Sequence, residues 1–401
     1  MKAMTEKMVV PTLRFGEFDE VWNTNKLREI FSISAGGDIS AQNVSNVQTD
    51  SFKYPIYANA KKDKGFYGYS DVFKIEPNVV TVAGRGVHLG IAHSRKERFY
   101  PIVRLLILKP KIECDVDFFE NRINLINLFI ESTGVPQLTA PQISNYNVSF
   151  PTLPEQEKIA SFLSSVDERI QKLERKKSLL EDYKKGVMQK IFSQELRFKD
   201  ENGNHFPDWE EKKLGDVGET FNGLSGKTKE DFGNGKPFIE YMQIFGSAKI
   251  DTSKFGLVNI NEGEKQKRVL KGDILFTTSS ETPNEIGFSS VLTEDVGELY
   301  LNSFCFGYRP FSLNDLYPEF ASYLFRSESV RRDVIVLAQG STRYNMSKVQ
   351  LMKVSISIPS LIEQKKIASF LSSIDKKIEL VETQIQQSKT FKKGLLQQMF
   401  V

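Results

Sequence analysis

At 401 residues, with 40% apolar and 26% charged side chains, the chain is long enough for about two domains with a core each, so size places no limit on folding. Fifty-four basic residues against 51 acidic ones leave a formal charge of +3, too small an excess for a protein living on phosphate contacts alone, while nucleic acid stays admissible. No run approaches the ~18 apolar residues that span a membrane, and residues 1–15 lack an apolar signal core, so no membrane partner is expected and the compartment reads as cytoplasmic. Cys114 and Cys305 have neither metal-ligand nor redox spacing and read as buried, reduced thiols.

Leu13-Arg14-Phe15, Trp22 and Lys26-Leu27 come first. Short β-like runs with glycine turns follow at 55–57, 79–82 and 103–108, then a helical stretch near 118–131. The turns mix polar, basic and aromatic side chains: Lys53, Asn59, Lys61, Lys62, Lys64 and Tyr67, then Arg85 and His88, then Arg95, Lys96 and Arg98. At 151–192 the texture changes to a long helix. Its opening PTLPEQ lets proline stop a strand, Thr152 start a helix and Glu155 meet the positive end of the dipole. Apolar residues then recur at spacings of three and four through Ile159, Phe162, Val166, Ile170, Leu173, Leu180, Val187 and Ile191.

The second half begins like the first, with Leu196-Arg197-Phe198, Trp209 and Lys213-Leu214. Its β-like runs lie at 271–276, 299–308 and 354–358, with helix near 318–336. Its candidate contact turns hold Lys227, then Thr277, Thr278, Ser279, Ser280 and Asn284, then 339–345 (QGSTRYN) with Ser341, Thr342, Arg343, Tyr344 and Asn345. Loops of this composition suit phosphates and base edges, arginine and asparagine being able to make bidentate contacts in the major groove. Finally, 359–400 repeats 151–192 without a gap at an offset of 208, with roughly half the positions identical and 158–165 (KIASFLSS) returning letter for letter at 366–373. Ser360, Glu363 and Gln364 stand where Thr152, Glu155 and Gln156 stood, and the stripe runs Ile367, Phe370, Ile374, Ile378, Val381, Ile385, Leu395, Met399.

Two narrow-striped helices of some 35 residues make rods of roughly 50 Å, and the obvious partner of each is the other; the alternative is that each docks on its own module. The link from the first helix into Leu196-Arg197-Phe198 finds its counterpart at the other end of the chain, in Leu13-Arg14-Phe15, so the chain reads as circular with neighbouring ends. The expected class is α/β: two mixed α/β modules separated by two long helices in an antiparallel coiled coil, with a pseudo-twofold internal repeat. The boundaries fall at 1–150, 151–193, 194–358 and 359–401.

Catalytic motifs do not survive inspection. Gly226-Lys227-Thr228 ends like a phosphate-binding loop, but Phe221 occupies the place of its first glycine. Gly84-x-Gly86-x-x-x-Gly90 misses the dinucleotide spacing. Asp208, Glu211 and Lys213 crowd into one turn where a nuclease needs separated strands, and no pair among His88, His93 and His205 has helical metal-ligand spacing. No metal site is expected. The Asn-Pro-Pro-aromatic signature of an adenine methyltransferase is absent.

The tandem of module plus helix, with Pro-x-Leu-x-Glu-Gln-x-x-Ile-Ala before an aspartate (Asp167, Asp375) and a closing Lys-Lys-Gly (184–186, 392–394), strongly resembles the specificity subunit of type I restriction-modification enzymes. The modules resemble its target recognition domains through KGDIL at 271–275, GSTR at 340–343 and GRG at 84–86. Where Thr342-Arg343-Tyr344-Asn345 would align, the first module has Gly134-Val135-Pro136-Gln137, so an arginine contact is not carried over there. The resemblance implies a chain that is itself non-catalytic. Each module would read half of a split site in double-stranded DNA, and the helices would set the gap, a ~50 Å rod exceeding the ~34 Å of one DNA turn.

It also implies partners. Two adenine methyltransferase subunits would dock on the helices, near Glu155, Gln156, Ile159 and Phe162 and near Glu363, Gln364, Ile367 and Phe370, and two translocase-nuclease subunits would join them. S-adenosylmethionine then belongs to the methyltransferase, and ATP and Mg to the restriction partner. The other readings are an adaptor whose modules bind protein or glycan, and a self-contained DNA-modifying enzyme.

Overall fold

Pro151 and Pro359 each stand between a strand and a long helix in the computed structural model, which describes residues 10–60, 62–128 and 136–401. The helices are Leu153–Phe192 and Leu361–Met399. The chain divides into two compact units, Met1–Glu174 with Thr383–Val401 and Arg175–Glu382, so each unit holds one end of both helices.

In the first unit the helix ends run antiparallel, tied by Asp167 to Lys392 at 2.6 Å and by Glu174 to Lys389 at 2.6 Å. A two-stranded ribbon pairs Asn23–Lys26 with Asn147–Phe150. Beside it, an antiparallel sheet orders Phe31–Ala35, Leu106–Pro110, Val79–Val82 and Ala92–Arg95. A second sheet orders Val44–Ser45, Phe66–Ser70, Tyr54–Tyr57 and Tyr100–Pro101. The helix Val116–Asn124, capped by Asp115, closes the core, in which Trp22, Phe118, Phe119, Ile159, Leu163 and Phe400 are buried together. The end of the helical stretch expected at 118–131 lies outside the described residues.

The second unit repeats this frame. Glu210–Lys213 pairs with Ser355–Ile358, and the four-stranded sheet orders Gly218–Asn222, Cys305–Pro310, Ile274–Thr277 and Ser289–Val291. Gly256–Val258, Phe232–Ile239 and Tyr300–Leu301 form the smaller sheet. The stretch expected as one helix at 318–336 is two, Pro318–Leu324 and Glu328–Ile335, because Ser327 caps the second through the backbone N–H of Val330. Its helix ends are tied by Lys184 to Asp375 at 2.5 Å, 208 residues from the Lys392–Asp167 pair on both sides, and by Lys177 to Glu382. The antiparallel pairing and the mixed α/β class are as the sequence predicts.

The stripe is buried as expected at Ile159, Val166, Ile170, Val187 and Ile191 and at Ile367, Ile374, Val381, Ile385, Leu395 and Met399, and it differs at one place in each helix. Leu163 and Leu371 are fully buried, whereas Phe162 and Phe370 are only partly so and lie edge-on against Phe15 and Phe198 at 5.8 and 5.5 Å. The helices therefore sink into their modules as well as pairing, which widens the buried face beyond a coiled-coil seam. The neighbouring ends are also seen: Leu13 N–H donates to the Gln398 carbonyl at 2.9 Å, the bond that Leu196 makes to Lys190 within continuous chain.

Candidate nucleic-acid interface

Glu155, Gln156, Glu363 and Gln364, expected at a docking surface, turn inward. Arg14 donates twice to Glu155, at 2.8 and 2.7 Å, and Arg197 twice to Glu363, at 2.9 and 3.0 Å. Gln156 and Gln364 receive the backbone N–H of Asp115 and Tyr317 and donate to the carbonyls of Pro151 and Pro359. Ile159 and Ile367 are core residues. These repeated positions lock each module to its helix, because a buried carboxylate or amide must find partners.

In the first unit three loops meet at one corner. Asn59 accepts the Gly84 N–H at 2.8 Å and donates to the Val103 carbonyl, so it builds the corner from within and does not face outward as a loop amide would. Arg95 is likewise buried, correcting the expectation of a contact residue: its guanidinium lies 3.6 Å from the Tyr57 ring centre and Nε donates to Thr81 at 3.0 Å. The run expected as a strand from Val103 starts only at Leu106, since Val103 and Arg104 take left-handed φ of 53° and 57°. That conformation costs about 1–3 kcal/mol per residue and is held by their N–H bonds to Gly37 and Gly36 at 3.1 Å.

This turn presents the exposed Arg104, which the sequence did not single out, at the corner where Asn59 joins the Gly84 and Val103 loops. Lys53, Lys64 and Tyr67 are exposed, Arg85 is half-buried with Nη2 3.3 Å from the Gln137 side chain, and Val87 is 94% exposed. Lys61 lies outside the described residues, as do Gly134 and Val135. Lys62 falls in the short turn of helix Lys62–Gly65.

The second unit elaborates the matching corner into a small sheet. Ser279–Ser280 pairs with Tyr344–Met346, which pairs with Ala338–Gln339, and the exposed turn Gly340, Ser341, Thr342 and Arg343 links the last two. Gly340 is required there: its φ is +129°, and a Cβ would sit 2.1 Å from the Arg343 carbonyl. The equivalent place in the first unit is the isolated bridge between Arg85 and Gln137.

The structure thus brings Thr278, Ser279, Ser280 and the 341–345 turn together. Ser279 and Ser280 are buried, a correction to their reading as contacts: the Ser279 hydroxyl holds Arg343 Nε at 3.3 Å, its carbonyl holds the Tyr241 hydroxyl at 2.8 Å, and Ser280 donates to Thr282. Asn284 is exposed nearby, its carbonyl accepting from Arg331 at 2.9 Å. Lys227 sits in another loop, its buried ammonium 2.6 Å from Glu264, whose carboxyl it holds down at about 2. The Asp273 of KGDIL is buried and accepts Arg309 Nε and Nη2 at 2.8 and 2.7 Å, so that motif belongs to the frame. Burial pushes the Cys114 and Cys305 thiols up to about 12, keeping them protonated. Tyr241 and Glu281, which share a cavity with Arg343, were not foreseen; nothing local in sequence joins them to the turn.

Among known proteins, the profile of the type I restriction modification DNA specificity domain matches residues 19–181 and 207–389. A provisionally assigned type I specificity subunit of Mycoplasma pneumoniae is 30% identical over 144 residues, 36% of this chain and 39% of that one, so the chain spans about two-fifths of that relative's length. A type I restriction enzyme specificity subunit of Methanocaldococcus jannaschii is 27% identical over 301 residues, covering 72% of this chain and 70% of that one. In fold, the chain is similar to the S subunit of a type I restriction-modification system from M. genitalium, with a TM-score of 0.60 at 15% identity over 98% of this chain and 99% of that one. The adaptor reading has no such support. Because the profile matches twice and spans most of the sequence, the chain belongs to the type I restriction-modification DNA specificity family.

Proposed function

We propose that this chain is the DNA-reading, non-catalytic subunit of an adenine methyltransferase, each unit reading one half of a split site in double-stranded DNA. The observation that carries this reading is that one corner of a shared frame is filled differently in the two units. Basic and aromatic loops around Arg85 and Arg104 fill it in the first, and the Gly340–Arg343 turn fills it in the second. Matched frames with unmatched fillings suit two different half-sites. Mapping adenine methylation in cells with and without the chain should reveal a bipartite motif that vanishes with it; an unchanged pattern would contradict the reading.

Two methyltransferase subunits dock on the long helices, one per unit. Phe391 and Tyr183, 208 residues apart, are 56% and 54% exposed, and in the first unit Phe391, Phe162, Val166 and Arg169 border a groove of about 410 Å³. Exposed aromatics beside such a groove are the side chains that anchor interfaces. Phe391→Ala with Tyr183→Ala should strip both methyltransferase subunits in size-exclusion chromatography while DNA binding by the chain persists; a complex of unchanged mass would refute the assignment. S-adenosylmethionine belongs on those partners, and ATP and Mg on two translocase-nuclease subunits recruited with them, all in the cytoplasm.

The helices serve as the ruler. Four residues inserted after Lys172 and four after Leu380, its repeat equivalent, add about one turn, or ~6 Å, to both helices, while the Asp167–Lys392 and Asp375–Lys184 pairs keep their own ends. The expected motif keeps both half-sites and gains unspecified bases between them. The same gap in the methylation map would show that the helices do not measure it.

A further inference from the structure

We propose that the cavity beside the Gly340–Arg343 turn reads one G·C pair, Arg343 donating to the guanine and Glu281 accepting from the amino group of the paired cytosine. This rests on the reading of the second unit as a DNA reader. The cavity measures about 310 Å³ and is walled by Tyr241, Met242, Phe245, Ser279, Glu281 and Arg343. Its floor is rigid: Tyr241 stacks on Phe245 with ring centres 6.1 Å apart, and its hydroxyl is tied to the Ser279 carbonyl at 2.8 Å. Arg343 is steadied through Nε by the Ser279 hydroxyl, and among the described residues its Nη1 and Nη2 have no acceptor. Glu281 is exposed and without a partner among the described residues, while the neighbouring Glu285 is engaged by the Thr282 hydroxyl at 2.8 Å.

A carboxylate on a surface that meets DNA is repelled by every phosphate, so its place there implies a base donor to accept from. In the major groove the amino donors are cytosine N4 and adenine N6. A guanidinium fork matches the O6 and N7 acceptors of guanine, and only the G·C pair offers that double acceptor and an amino group on the same edge. Glu281 also acts against the wrong pair, since thymine O4 or guanine O6 brought to it would set acceptor against carboxylate.

The test measures binding of the full chain to duplexes carrying its own methylation motif and every single substitution in the second half-site. Glu281→Gln and Arg343→Ala, both surface changes checked for unaltered thermal unfolding, should each reduce discrimination by about 5- to 150-fold, and at the same G·C pair. Relaxation at two different positions, or tighter binding of Glu281→Gln to all sequences alike, would overturn the pair-reading while the wild-type motif still stood. A wild-type chain without sequence preference would instead remove the DNA-reading function itself, and the proposal with it.

Discussion

Arg14→Ala should destabilise the first unit by about 3–5 kcal/mol, the range for removing one member of a buried ion pair. The Glu155 side chain is 1% exposed, and both oxygens are held by Arg14 alone among the side-chain bonds of the described residues. Without the guanidinium a carboxylate is left in the core with only the dipole of its own helix start to offset the charge. Arg197→Ala should cost less: although the Glu363 side chain is 0% exposed, Trp209 Nε1 still donates to it at 3.2 Å, whereas the buried Trp22 Nε1 makes no such bond. Hydrogen exchange resolved by unit, under urea, gives both values. Equal costs for the two variants, or a cost under about 1 kcal/mol for Arg14→Ala, would mean the pair is a surface ornament of the fold.

Truncating the leucines that widen the stripe should be nearly as costly. Leu163→Ala and Leu371→Ala each remove a fully buried side chain from a core shared by module and helix, at an expected ~2–5 kcal/mol apiece. Phe162→Ala and Phe370→Ala should cost less than the neighbouring leucines, because those rings are partly open to solvent. Denaturant unfolding of the four variants orders them directly, and phenylalanines costing more than leucines would reverse this account of which face is buried.

The repeat made much of the fold legible. An unbroken offset of 208 implied matching helices, and the Asp167–Lys392 and Lys184–Asp375 pairs obey it on both sides. The circular closure was legible for the same reason. Periodicity found the stripe but missed Leu163 and Leu371, because a narrow stripe describes one contact face and not the second surface, the module, against which these leucines pack. The interface was legible as loops but not as side chains. Asn59, Arg95, Lys227 and Ser279 look like contact residues in sequence, yet each spends its polarity on holding loops together, a use set by tertiary partners 14 to 64 residues away, while Ser280 bonds locally to Thr282. Conversely, Val103-Arg104 reads as strand, and only the bonds to Gly36 and Gly37 show why it turns outward.

Exchanging residues 22–149 for the corresponding module of another family member, and mapping methylated adenines in cells that carry the hybrid with its methyltransferase, tests the independence of the two readers most directly. The sheets and corner of the first unit fall within that segment, as does its ribbon except for Phe150, and the 339–345 turn lies outside it. One half of the motif should change to that of the donor while the other half and the gap stay as they were. A folded hybrid in which both halves change, or neither does, would contradict the account.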